Sequence, residues 1–192
     1  MSLPYFEPQV FDKIDFNKSE WEKGEYEQCM FKDCDFSNIN LSGSVFSDCT
    51  FQDSNLSLAK LVKTGFKQVQ FIGSKLLGLR FDLSDDFLFS VHFNHCILNH
   101  SSFFRKKLKG TDFLHCKLEE VEFIESDLSH CRFDYSDLRG AKFENTNLEK
   151  SDFREAIHYS FDPEKNRVKK ARFSMQGVLS LLDKYELDID MH

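Results

Sequence analysis

The sequence predicts an all-β chain built as a stack of square coils and closed by a C-terminal α-helix, and three observations lead there. A large apolar residue recurs at every fifth position, the residue two places before it is mostly small, and proline is missing from the whole repeating stretch. The ladder runs Phe6, Phe11, Phe16, Trp21, Tyr26, Phe31, Phe36, Leu41, Phe46, Phe51, Leu56, Leu61, Phe66, Phe71, Leu76 and Phe81, slips by two residues, and resumes at Leu88. From there it alternates Leu and Phe to Leu148 and Phe153. Of the 22 phenylalanines only Phe87, Phe89, Phe104, Phe161 and Phe173 fall off it, so composition and period have one cause.

A period of five fits neither the 3.6 of a helix nor the 2 of a strand. The chain must turn a corner in each repeat, and four corners close a coil of twenty residues. Each ladder residue and the small one two before it then point inward, while the other three face solvent. Coils stack through backbone hydrogen bonds at roughly 4.8 Å, which gives about seven coils and a rod on the order of 36 Å long. Such a stack uses nearly every N–H as a donor and excludes proline; Pro4, Pro8 and Pro163 all lie outside Gln9–Asp162. The Leu/Phe alternation sets Phe93, Phe113, Phe133 and Phe153 in one column and fills the interior, leaving no room for a substrate.

At Asp82–Phe87 the register gains two residues, which reads as a short loop or bulge at one corner. Phe104 is expected to face outward. After Phe153 the ladder stops. Ser160–Asn166 reads as a turn, Ser174 is a fitting N-cap, and Val178, Leu181, Leu182 and Tyr185 recur at helical spacing. The expected division is a β-helix over 1–155 and a turn with a capping helix over 156–192. A cap protects the exposed backbone and rungs of a last coil. The same apolar residues, Val178, Leu181, Leu182 and Tyr185, are the expected interface of a homodimer, with Leu187 and Ile189 adding a short strand.

Composition narrows the function. A net charge of −7 argues against direct binding of nucleic acid through a basic surface. No apolar stretch is long enough to span a membrane, and Met1–Pro8 shows neither a basic nor an apolar leader region, so a cytoplasmic protein is expected. All six cysteines, Cys29, Cys34, Cys49, Cys96, Cys116 and Cys131, sit two before a rung and therefore point into the core as small apolar fillers. Cys29/Cys49 and Cys96/Cys116 stack at a spacing that a disulfide reaches only under oxidation. His95 and His115 precede cysteines but face outward, so His and Cys do not converge on a metal. No Ser, His and Asp surround a cleft. Neither catalytic residues, cofactor nor metal is expected.

Charge is uneven along the chain: residues 1–40 carry −5, 60–117 carry +6 and 118–162 carry −7. The basic set is Lys60, Lys63, Lys67, Lys75, Arg80, Arg105, Lys106, Lys107 and Lys109. The acidic set, Glu119, Glu120, Glu122, Glu125 and Asp127, is the candidate partner-binding group.

The segments CDFSNINLSGSVFSDCTFQDSNLS and SDLRGAKFENTNLEKSDFREA resemble the pentapeptide-repeat family, whose consensus is Ala-(Asp/Asn)-Leu and two variable residues; Ser126-Asp127-Leu128, Ser136-Asp137-Leu138, Thr146-Asn147-Leu148 and Ser151-Asp152-Phe153 carry the resemblance best. It implies a right-handed quadrilateral parallel β-helix. The tail from Ala156 to Leu187 is similar to that of the albicidin and microcin B17 immunity proteins, relatives of the quinolone-resistance (Qnr-type) proteins. Those relatives are dimeric rods that interact with DNA gyrase, a behaviour attributed to likeness to duplex DNA in shape and negative charge. This resemblance implies a non-enzymatic DNA-mimic rod that binds a type II topoisomerase and protects it from inhibitors. The chain departs from the Qnr pattern in having a two-residue slip where those proteins carry long loops. The alternative is a pentapeptide-repeat scaffold with another cytoplasmic protein partner.

Overall fold

The computed structural model describes residues 3–190, and its chain winds as the five-residue period requires. On one face, β1 (Tyr5–Phe6), β3 (Glu25–Glu27), β5 (Val45–Ser47) and β7 (Gly65–Lys67) form a four-stranded parallel sheet. On the next, β2 (Val10–Asp12), β4 (Met30–Lys32), β6 (Thr50–Gln52), β8 (Val69–Ile72), β9 (Val91–Asn94) and β10 (Phe113–Leu114) form a six-stranded one. Strands of two to four residues are all that a five-residue side allows. The other two faces are joined by single parallel bridges, such as Asp35↔Asn55 and Ser102↔Glu122. Partners are twenty residues apart, Phe31 with Phe51 for example, except across the slip, where Phe71 pairs with Phe93. The bridges run on beyond the last ladder residue, to Asp152↔Arg172.

The interior is a filled stack of side chains. One column of parallel rings runs from Phe11 through Phe31, Phe51, Phe71, Phe93, Phe113 and Phe133 to Phe153 and Phe173, with centroids 4.7 to 5.4 Å apart. A second column, Phe81, Phe103, Phe123 and Phe143, meets it edge to face. The parallel offset within columns and the edge contacts between them are the two arrangements that the ring quadrupole favours. Small hydroxyl residues at the inner corner also satisfy the backbone: Ser54, Ser74, Ser136 and Thr146 each donate to a carbonyl of the coil before.

Each coil turns by placing its corner residue in the left-handed region, and most of those residues are not glycine. Leu58 is one, with φ of 59° and a side chain 61% exposed. A left-handed conformation costs an L-residue about 1–2 kcal/mol relative to glycine, partly offset by the extra freedom glycine has when unfolded. Leu58→Gly is therefore expected to stabilise the fold by roughly 0.5–1 kcal/mol, read as a higher urea midpoint at unchanged slope.

Two expectations are corrected here. Leu88 is not a core rung: it is 65% exposed with φ of 56°, and Phe89 turns in to pack against Phe66 and Phe81. The inserted residues let the chain choose the larger apolar side chain for the interior. At the other end the cap is not one regular α-helix. Ser174 does cap it, accepting from the N–H of Gly177, but α1 (Met175–Val178) passes after one turn into a 3₁₀ helix over Leu179–Tyr185. So short an α-helix has little stability of its own, and packing of Leu181 and Tyr159 over the last coil decides its shape. No helix among the described residues is long and apolar enough to cross a membrane.

Candidate functional site

With the core filled, chemistry is confined to the faces of the rod and to the one place where the coil opens. That place is Asp82–Ser90. A 3₁₀ turn over Phe81–Leu83 leads into it, with Arg80 clamped on Asp82 by Nε and Nη2 at 2.8 and 2.6 Å. The Ser84 hydroxyl donates to the Phe81 carbonyl, Asp85 N–H to the Thr64 carbonyl, and Ser90 N–H to the Phe66 carbonyl. The segment therefore crosses the first face over β7. Phe87 and Leu88 stand out from it, 64% and 65% exposed.

Underneath lies Lys106, with only 2% exposure. Its Nζ donates to the Ser84 carbonyl at 2.7 Å and to Asp86 Oδ1 at 2.6 Å, and sits 4.7 Å from the centroid of the Phe89 ring. The stem fills space and the ammonium group is satisfied on three sides, as a buried cation must be. Lys106 thus holds the extruded segment in one pose. Sequence reasoning placed it in a basic surface set; the signal that it differed was its position, two before Leu108, where other coils carry Ser, Cys, Thr or Val.

The acidic set predicted to bind a partner is spread around the rod. Glu119 and Glu120 follow Leu118, Glu122 and Glu125 flank Phe123, and Asp127 precedes Leu128, so they occupy three successive faces. Each is answered by a residue one coil away: Asn99 on Glu119, His100 on Glu120, Lys142 on Glu122, Arg105 on Glu125 and Asn147 on Asp127, at 2.6 to 3.3 Å. The same rule holds elsewhere. Asp112, Arg132, Asp152 and Arg172 alternate in one column, with Arg132 bidentate on Asp112 at 2.7 and 2.9 Å. Arg154 hydrogen-bonded to Asp152 holds that carboxyl below the usual carboxylate range. Alternating signs leave no face of the second half with a continuous acidic stripe.

His95, His115 and Tyr135 do face outward, stacked at 4.5 and 4.9 Å along one corner. No group of acids, histidines and cysteines among the described residues is placed to hold a metal ion. All six cysteines are buried and free. Burial pushes the Cys49 thiol up to about 12 and raises Cys131 and Cys116 as well. A thiol at that value is about one part in ten thousand thiolate at pH 8. Disulfide-exchange reagents are expected to titrate fewer than one thiol per chain in the native state and all six after unfolding in guanidinium.

Of the residues expected to form a dimer interface, Leu181 is 7% exposed and spent on capping the core, whereas Val178 and Tyr185 are 37% and 49% exposed. Leu182 lies beside Leu179, Leu187 and Ile189 in an open depression that Asp183 and Glu186 also line.

A coiled parallel β-solenoid with a filled interior and a short helical cap defines a class of repeat proteins that work through their surfaces. Profiles described as "Pentapeptide repeats (8 copies)" and "Pentapeptide repeat region" match residues 29–68 and 87–157, and the chain belongs to the pentapeptide-repeat family. A comparison with curated protein sequences gives no match. Among solved structures it is similar to QnrB1 (R167E, trypsin treated), a plasmid-mediated fluoroquinolone resistance protein, at 13% identity and a TM-score of 0.64, covering 96% of this chain and 100% of that one. Full-length QnrB1 aligns at 17% identity and a TM-score of 0.54, with the same coverage. HetL, involved in heterocyst differentiation regulation in the cyanobacterium Nostoc sp. strain PCC 7120, aligns at 14% and 0.62 over 89% of this chain and 88% of that one. At these identities the likeness is one of fold.

Proposed function

We propose that this chain acts without catalysis, as a rigid rod read by another protein, with the Asp82–Ser90 segment as its principal contact. The observation that supports this most is the pair Phe87 and Leu88, held out from the rod by a buried lysine that fixes their backbone. Exposed apolar side chains on a pre-ordered support bind at low entropic cost. A photo-crosslinking residue at position 87 is expected to trap one defined protein other than a second copy of this chain, while the same residue at Tyr135 traps none. Adducts at neither position, or equally at both, would contradict the reading.

A second reading names the partner as a type II topoisomerase such as DNA gyrase, and the full-length fold likeness to QnrB1 supports it. The paired charge columns count against mimicry of duplex DNA by an acidic stripe, so contact would fall to the extruded segment. In a supercoiling assay with a fluoroquinolone, the wild-type protein is expected to restore activity and Phe87→Ser/Leu88→Ser to fail. Absence of rescue by the wild-type protein removes this partner and leaves the first reading standing.

A homodimer through the C-terminal cap belongs to the same proposal. Val178, Leu182, Tyr185, Leu187 and Ile189 leave apolar surface there that a two-fold mate would cover. At about 0.5 M salt, where surface charge pairs are screened, the wild-type protein is expected to sediment as a dimer and Leu182→Asp as a monomer. A dimer mass unchanged by that substitution contradicts the interface.

A further inference from the structure

Along the first face of the rod the charges without an ion-pair partner are segregated by sign, one sign toward each end. Lys107, Lys109, Lys150, Lys169 and Lys170 are exposed along its C-terminal half, and none has a carboxylate partner among the described residues. The backbone ladder sets them in register: Asn147 bridges to Arg167, and the N–H of Lys150 donates to the Lys169 carbonyl. The carboxylates between them are already taken, Glu149 by Arg167 at 2.8 Å and Asp127 by Asn147. At the N-terminal end of the same face, Glu7, Glu25 and Asp48 are exposed and equally without a cation, while Glu27 accepts from the Tyr5 hydroxyl. The face is thus acidic at one end and basic at the other, with Phe87 and Leu88 crossing its middle. Lys67 lies there too, its Nζ 5.5 Å from the Phe87 ring centroid.

We propose that two copies of this chain associate side by side and antiparallel through this face. A two-fold axis near the Asp82–Ser90 segment brings the acidic end of each copy onto the basic end of the other, twice, with Phe87 and Leu88 of both at the centre. Self-complementarity about a two-fold axis is what an isologous contact demands, and an apolar centre with a charged rim is the usual anatomy of an interface. A parallel arrangement would set like charges together. Each copy carries −7 overall, so association depends on facing charges at contact distance and not on long-range attraction. The contact is independent of the C-terminal cap, but it covers Phe87 and Leu88, so a partner protein that reads those side chains competes with the second copy for them.

The test is sedimentation of the full chain carrying Leu182→Asp, which removes the apolar patch at the cap. At about 0.05 M salt the dimer mass is expected, and at about 0.5 M the monomer mass. Adding Lys150→Glu/Lys169→Glu/Lys170→Glu leaves acidic charge at both ends of the face, and adding Glu7→Lys/Glu25→Lys/Asp48→Lys leaves basic charge at both ends. Each variant alone is expected to remain monomeric at low salt, and an equimolar mixture to give a one-to-one complex. Circular dichroism matching the parent shows that each variant is folded. A monomer at both salt concentrations for the Leu182→Asp chain overturns the proposal, as does a dimer that survives both salt and charge reversal. Retention of the monomer on a single-stranded oligonucleotide, lost in the lysine variant, overturns it too by assigning the basic end to a polyanion.

Discussion

Phe113→Ala is expected to destabilise the fold by about 3–5 kcal/mol, the cost of emptying a phenylalanine site that neighbours cannot collapse into. Phe113 has no solvent exposure and lies between Phe93 and Phe133 at 5.1 and 5.2 Å, with Phe103 and Phe123 edge-on at 5.9 and 5.6 Å. Collapse is prevented because the coil spacing is set by backbone hydrogen bonds on all four faces, not by the side chains inside. At roughly 2–4 °C per kcal/mol for a chain of this size, melting should fall by about 6–20 °C. Phe113→Leu keeps an apolar filler and should cost less than about 1.5 kcal/mol, apart from the ring stacking it gives up. Urea unfolding of both variants checks this; a loss below about 1 kcal/mol for the alanine variant would mean that the interior is not packed as described.

Lys106→Ala is the second large effect, and it should be local. The substitution removes the donor to the buried Ser84 carbonyl, at about 1–3 kcal/mol for an orphaned acceptor, and leaves the space of a long side chain beneath Phe89. Together these are expected to cost about 2–3 kcal/mol. The ion pair with Asp86 adds little, because that carboxylate is 81% exposed and stays solvated when the lysine is gone. Asp86→Asn should therefore cost under about 1 kcal/mol. Hydrogen exchange separates the two: amides of Ser84–Ser90 should exchange at least tenfold faster in Lys106→Ala, while those of Val91–Asn94 stay protected. Uniform acceleration along the chain would show that Lys106 supports the core and not the extruded segment.

The ladder was legible because a five-residue period has one structural solution, and every stacked column follows from it. Proline exclusion and the inward cysteines followed from the same geometry. The phase slip was legible as a position but not as a shape. Counting in fives from Leu88 keeps the Leu/Phe alternation intact, yet the two extra residues free the chain to turn Phe89 in against the core. Lys106 was hidden by its charge, although its place among small inward residues marked it. The acidic set looked contiguous in sequence because five-residue sides put neighbours such as Glu122 and Asp127 on different faces; contiguity on a solenoid runs in steps of twenty. The cap was legible as an apolar helical pattern, but the last coil, not the pattern, selected one α turn followed by 3₁₀ helix.

Whether Phe87 and Leu88, braced by Lys106, are what another protein reads decides the proposed function. The most direct measurement is photo-crosslinking from position 87 in the wild-type and Lys106→Ala backgrounds, with Tyr135 as the control position. The expected result is a single adduct at position 87 to a protein other than this chain, competed by untagged wild-type protein and lost in Lys106→Ala although the coils remain folded; an adduct only to a second copy would contradict it. An adduct that persists in Lys106→Ala, or one formed equally from Tyr135, would contradict it.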